Sequence, residues 1–425
     1  MGRVATFVAR TWNWKALRKK PLHSWLFTIF FVLLGFYLSF WLGQFDWWQD
    51  ASYASYNIVQ RLTPPTTTRP SHTAVVLIGD DDFWRGEWAR RQPLKRLTLE
   101  KLLLAVWDAS PRAVGIDIDL RCQTPDGSIG THDDYRTETE QLFKTVDRIA
   151  DKVPIVFAKA VGYDDSSQRF TIDKDLFERV SFTHPGKISF GYTRLPHDLR
   201  QVALNSDAAG KKLDSFASAL SRVDPVFVGI ATRRAGHSLP YVRSFLGKAN
   251  FEQACVSAGR VIAHDPTAMA VLANKIVIIG GDWHREAWGR GERIDEHNTP
   301  QGKLPGALIH ANYIEAVLSE QLTAPSGEWL HIGFEFVVGF GLAFVLACAV
   351  GYWKLPYLGL LSVIVCVISV FAWTNVGVFL DAAPPLILLA GHSAFEKVIE
   401  WKRQADEYDA WKQQAHSRDD TGTQP

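Results

Sequence analysis

Cysteine is scarce, with four residues in 425, and two of the four, Cys348 and Cys366, lie in apolar runs where a thiol is a small hydrophobe. Only Cys122 and Cys255 remain for redox chemistry; a bridge between them and two unpaired thiols are both open from sequence. The common catalytic signatures are missing too. The chain has no phosphate-cradling glycine loop ending in Lys-Ser or Lys-Thr, no Gly-x-Ser-x-Gly elbow, no His-Glu-x-x-His and no Cys-x-x-Cys. That absence moves the expectation from catalysis toward binding, with no cofactor, no metal and no catalytic residue nominated. The formal net charge is only +1, so the strong basic field that draws nucleic acid is lacking.

Acidic residues are absent from the first 22 positions, which carry Arg3, Arg10, Lys15, Arg18, Lys19 and Lys20. An uncharged run, Ser24 to Gly43, follows directly. Its length is about the twenty residues that cross a bilayer, and no small-residue cleavage site follows it. The expectation is an uncleaved anchor, residues 23–43, with residues 1–22 inside the cell. Trp25, Trp41, Trp47 and Trp48 sit where interfacial aromatic belts form.

Residues 44–330 read as one α/β domain outside the cytoplasm, a mostly parallel sheet with flanking helices. Asp50 to Leu62 suggests a short helix, ended by the Thr- and Pro-rich Thr63 to Pro70. Thr73 to Gly79 is a continuous apolar, β-branched run suited to a strand buried on both faces. A helix capped by Thr98 follows, with Leu99, Leu102, Leu103 and Val106 at helical spacing, and then a second buried strand, Ala113 to Ile118. Strand, helix, strand in so short a stretch is the pattern of a right-handed crossover and a parallel sheet. The alternation continues with a helix near Glu138 to Asp151 and strands at Val153 to Ala158, Val226 to Ile230 and Lys275 to Gly280; a weaker strand signal lies at Lys187 to Tyr192. A helix starting near Gly306 closes the domain, with Leu308, Ala311, Ile314, Val317 and Leu318 on helical spacing.

An all-α transmembrane region is expected after it, with spans at 331–353, 355–374 and 376–395 and a cytoplasmic tail at 396–425. The third run carries Asp381, Pro384 and Pro385; if Asp381 ends the apolar stretch, Ala382 to Phe395 is short for a span. In the tail, Val398, Trp401, Ala405 and Tyr408 fall at alternating three- and four-residue steps. That stripe fits either a partner-binding helix or a solvated extension of the last span.

Acids gather at the predicted carboxyl ends of strands: Asp80 and Asp81 after the first, Asp117 and Asp119 in the second, Asp282 after the last. Parallel sheets bind ligands at that edge. Strand alternation lets Asp117 and Asp119 face the same way. Asp295 and His297 add oxygen and imidazole in the final strand-to-helix connection. These seven residues are the candidate ligand site; helix capping and loop support are the alternative roles of such acids.

Several segments together resemble a known family: Val75 to Asp81, Arg91 to Arg96 with Pro93, Val114 to Asp119, Lys275 to Gly280, and Thr299-Pro300 followed by Leu304 to Asn312. They are similar to the type-two CHASE domain, the extracytoplasmic sensory domain found in cyclases and histidine kinases. The resemblance implies one N-terminal span, usually three C-terminal spans, and an output domain inside. Some thirty residues follow Phe395, too few for such an output domain. The expectation is therefore a non-enzymatic sensor in the plasma membrane that binds an unidentified extracytoplasmic ligand and relays the signal to a separate cytoplasmic or membrane protein. A homo-oligomer is compatible with it. Two other functions remain open: a structural membrane subunit that assembles with envelope proteins, and a metal-assisted hydrolase using Asp80, Asp117, Asp119 and Asp282 with His297.

Overall fold

The structure is a computed structural model. It describes residues 37, 41, 45–63, 69–88, 90, 94–120, 133–159, 161–164, 169–172, 182–195, 199–200, 202, 205–208, 211–223, 240–323, 328–348, 353–383, 401–402, 404–408 and 412. The chain forms two compact units, residues 57–325 and the two flanking stretches, 1–56 with 326–425.

In the unit of residues 57–325, six strands form one sheet: β1 (Thr73–Gly79), β2 (Ala113–Asp117), β3 (Ile155–Lys159), β4 (Ile188–Tyr192), β5 (Cys255–Ser257) and β6 (Ile276–Asp282). Their order is β5-β1-β6-β2-β3-β4, and all five pairings are parallel. The apolar runs become strands because both faces are covered. Ala74, Val76, Ile78, Val114, Ile116, Val277 and Ile279 join a core with α2 (Arg96–Asp108), α3 (Asp133–Ala150) and α5 (Ala258–Ile262). The opposite face is covered by α4 (Phe216–Ser221) and α6 (Gly306–Leu318). All thirteen residues of α6 are buried, so this helix is part of the core on every side.

One expectation changes at this level. Thr98 does not cap α2, which begins at Arg96; its hydroxyl instead donates to the Glu87 carbonyl at 3.2 Å. Arg96 extends into the interior, 1% exposed, and donates to the Leu120 carbonyl and the Thr139 hydroxyl, each at 2.5 Å. On the edge strand β5, Cys255 is a free thiol, one of the two readings the sequence left open, and burial pushes it up to about 12. Cys122 and the expected strand at Val226 to Ile230 lie outside the described residues.

Helix α1 (Asp46–Leu62) runs through Tyr56, the last residue of its stretch of the flanking unit, and into the first residues of the sheet-bearing unit. Within the flanking unit, the Ser52 hydroxyl donates to Asp381, which is buried and also accepts from the Ala383 amide. Tyr56, Trp373 and Phe379 pack edge to face at 5.6–6.0 Å between ring centres. Within the sheet-bearing unit, the Gln60 side chain donates to the Val242 and Arg243 carbonyls and accepts from the Phe245 amide. The flanking unit also holds α7 (Glu328–Cys348) and α8 (Lys354–Phe371). Among the described residues one helix, Pro356–Val376, is long and apolar enough to cross a membrane. Most of residues 23–43, and all of 384–395, lie outside the described residues.

Candidate functional site

The strand-end acids do not converge on one point. Asp80 is held by His284, whose backbone amide donates to it at 2.8 Å and whose Nδ1 lies 2.7 Å from the other carboxylate oxygen. Burial alone would raise Asp80, but these bonds and the charges of His284 and Arg293 bring it below the usual carboxylate range. Asp282 pairs with Arg293. Asp81 is exposed and meets Arg85 one turn along at 3.4 Å. Asp82 accepts from the Gly79 and Gly259 amides at 3.2 and 2.9 Å. These acids act as supports, fixing the loops that follow β1, β5 and β6.

Asp117 and Asp119 also part company. The strand ends at Asp117, so the two-residue alternation does not carry on to Asp119, which is exposed. Asp117 shares its face with Ala113 and Gly115, and its side chain is 9% exposed under α6. Burial, with the nearby Asp295 charge, pushes its carboxyl up to about 8.

His310 on α6 lies beside it, with Nε2 4.0 Å from the Asp117 Oδ2, beyond hydrogen-bonding reach. His310 is 4% exposed, and its Nδ1 is buried without a hydrogen-bond partner. Burial holds it down at about 4, outweighing the Asp295 charge, while His297 also lowers it. The ring packs edge-on to Phe216 at 5.1 Å. Sequence spacing marks His310 as a hydrogen-bonded core histidine; it is in the core, but Nδ1 lacks the bond.

Asp295 and His297 come from the loop and hairpin before α6. Asp295 is half-exposed in the left-handed region at φ 53, a conformation Asp tolerates better than most residues. Its Oδ1 lies 2.8 Å from His297 Nε2, and its carbonyl accepts from the Gly306 amide at 2.9 Å. A side chain at Gly306 would drive into the Asp295 carboxylate, so glycine here lets that acid sit over the first turn of α6. Gly280 does the same for helix and sheet. A Cβ there would come 2.5 Å from the Ala307 Cβ and 3.9 Å from that of Asp117. Gly280→Ala should therefore cost about 1–3 kcal/mol of stability, read as a lower urea midpoint; an unchanged midpoint would show that α6 is not tightly seated here.

The arrangement is thus a buried carboxyl and imidazole, Asp117 and His310, below a half-exposed pair, Asp295 and His297. Sequence reasoning did not find Glu315. Its Oε1 accepts from the His72 amide, the Thr73 amide and the Thr73 hydroxyl at 2.7–2.8 Å, while Oε2 accepts from the Ser71 amide at 3.0 Å. The signal available was the one acid on a mostly apolar helix that is buried along its whole length. Among the described residues no group of three or more His, Cys, Asp or Glu is placed to hold a metal ion. The metal-assisted hydrolysis drawn from Asp80, Asp117, Asp119, Asp282 and His297 therefore has no assembled centre among those residues.

The carboxyl edge of the parallel sheet thus carries Asp80, Asp117 and Asp282, and a hairpin containing Thr299 and Pro300 leads into the helix that starts at Gly306. The CHASE2 domain model matches residues 27–351, more than half of the chain. The chain belongs to the CHASE2 domain family. No curated protein and no solved structure matches it. CHASE2 domains are extracytoplasmic sensory domains, which gives this chain a sensory role in coarse terms.

Of the expected tail residues, Val398 lies outside the described residues. Trp401 and Tyr408 are 66% and 61% exposed, and Ala405 is exposed with them.

Proposed function

We propose that this CHASE2 chain is a membrane-anchored sensor that binds its signal at the Asp117–His310 site and passes the change to a separate protein inside the cell. The observation that carries this reading is the buried, hydrogen-bond-poor pair at the carboxyl edge of the sheet. A buried polar group without a partner costs stability, and such groups persist where they serve a ligand or a switch.

The proposed layout has residues 1–22 inside, a span at 23–43, the sensory domain at 44–330, spans at 331–353, 355–374 and 376–395, and the tail at 396–425 inside. The basic, acid-free N-terminus and the apolar helix Pro356–Val376 support it. Helix α1 is the proposed relay, because Ser52 and Tyr56 bind Asp381, Trp373 and Phe379, while Gln60 binds the backbone of Val242, Arg243 and Phe245. A ligand transmits only if it favours one arrangement of that helix over another. The exposed Trp401 and Tyr408 are the proposed contact with the partner.

The test is affinity purification from membranes of the full chain and of a chain lacking residues 396–425. Loss of one stoichiometric cytoplasmic or membrane protein on truncation supports the relay. An identical set of co-purifying proteins removes the tail from it.

A further inference from the structure

Along the carboxyl edge of the sheet, the acids fall into two classes. Asp80 has His284, Asp81 has Arg85, Asp82 has two backbone amides, Asp282 has Arg293 and Asp295 has His297. Asp117 has none of these: among the described residues the ion-pairing distance is met only by the His310 imidazole, at 4.0 Å. It is also the most enclosed of them, with a side chain 9% exposed against 11% for Asp282 and 31% for Asp80. A second acid, Asp295, adds negative charge that is felt by both Asp117 and His310. Beside them His310 presents a buried Nδ1 without a partner.

We propose that the buried Asp117–His310 pair at the carboxyl edge of the sheet binds a protonated amine, with Asp117 as its counter-charge, the half-exposed Asp295 as a second acid and the unpartnered imidazole of His310 beside it. This rests on the sensor reading above and specifies the chemical class of its signal. The charge balance selects that class. An anion would meet two carboxyls, and among the described residues the nearby cations Arg293 and Lys303 are paired with Asp282 and Glu296. A divalent metal finds no group of three ligands placed for it among the described residues. An ammonium group supplies several N–H donors and a full positive charge, which satisfy a buried carboxylate and are favoured by the nearby Asp295 charge.

The titration of the site supplies a signature that a surface ion pair would lack. Burial leaves Asp117 largely protonated at neutral pH, so a cation that ionises it must release a proton. His310 is neutral there and contributes no competing positive charge.

The experiment is calorimetric titration of the full chain in detergent with three probes, propylammonium, putrescine and the neutral analogue 1-propanol, in two buffers of different ionisation heat at pH 7. The expected result is saturable binding of at least one amine, none of 1-propanol, and a buffer-dependent heat corresponding to release of about one proton. Asp117→Asn should weaken amine binding at least tenfold, while Asp80→Asn, following a strand separated from β2 by β6, should leave it within about twofold. No amine binding to the wild type overturns the proposal, as does amine binding that survives in Asp117→Asn. Either failure leaves the sensor reading intact if tail truncation still removes the partner, so the two can be told apart.

Discussion

Asp117→Asn should make the sheet-bearing unit more stable than the wild type at alkaline pH and equal to it in acid. The native carboxyl sits at about 8, above its ordinary value of 3.8, because burial opposes its charge. A group raised in this way contributes fully below its unfolded value, and the contribution drains away as pH rises to the folded value. His310 works in the other direction. Held at about 4 against an ordinary 6.5, it contributes above pH 6.5 and loses that contribution as pH falls toward 4. Between roughly pH 4 and 6.5 the two slopes offset one another, so the Asp117 effect stands alone between about 6.5 and 8. In that window wild-type stability should fall with rising pH, and the fall should vanish in Asp117→Asn. Above pH 8 the variant should gain on the order of 2–5 kcal/mol. Urea unfolding of the full chain in detergent, followed by tryptophan fluorescence at several pH values, reads it. Parallel curves for the two proteins would show that Asp117 is already ionised and compensated in the native state.

Glu315→Ala should be the most destabilising single change in the sheet-bearing unit. Glu315 accepts from the amides of three successive residues, Ser71, His72 and Thr73, and from the Thr73 hydroxyl, which ties α6 to the start of the central strand β1. Thr73 is fully buried, so removing the carboxylate leaves its donors without water or protein to receive them. Each such orphan costs about 1–3 kcal/mol, which puts the total near 3–5 kcal/mol. Glu315→Gln keeps one carbonyl oxygen and should lose about half as much. The same urea midpoints measure both, and a loss below about 1 kcal/mol in Glu315→Ala would show that β1 is anchored by its neighbours β5 and β6 alone.

These two positions also show why part of the molecule was legible in sequence and part was not. The strands Thr73–Gly79, Ala113–Asp117 and Ile276–Asp282 announce themselves as unbroken β-branched runs, because a parallel sheet covered on both faces needs no polar alternation. The helix Gly306–Leu318 follows from its spacing. Asp117 is legible as a strand-end acid, but its solitude is not. That His284 and Arg293 occupy Asp80 and Asp282 depends on how the hairpin between β6 and α6 folds back, which no local pattern encodes. The placement of β6 between β1 and β2 is equally hidden, since strand order follows from long-range packing. Thr98 misleads for a simpler reason: Lys95 lies in extended backbone just before Arg96, so the helix starts earlier and Thr98 falls inside it.

On the proposed reading, the acid beneath α6 links stability to reception. A carboxyl that weakens the fold when ionised is what a cation-binding site holds in reserve, since the bound charge relieves the cost that burial imposes. Substitutions that stabilise the empty protein at this point should therefore silence it.

The most direct measurement of the account places a photo-crosslinking residue at position 401 of the full chain in intact cells and compares the products with and without Asp117→Asn. The account predicts a cross-link to one protein partner whose yield changes about fivefold or more between the two. Identical products and yields from both chains would contradict it.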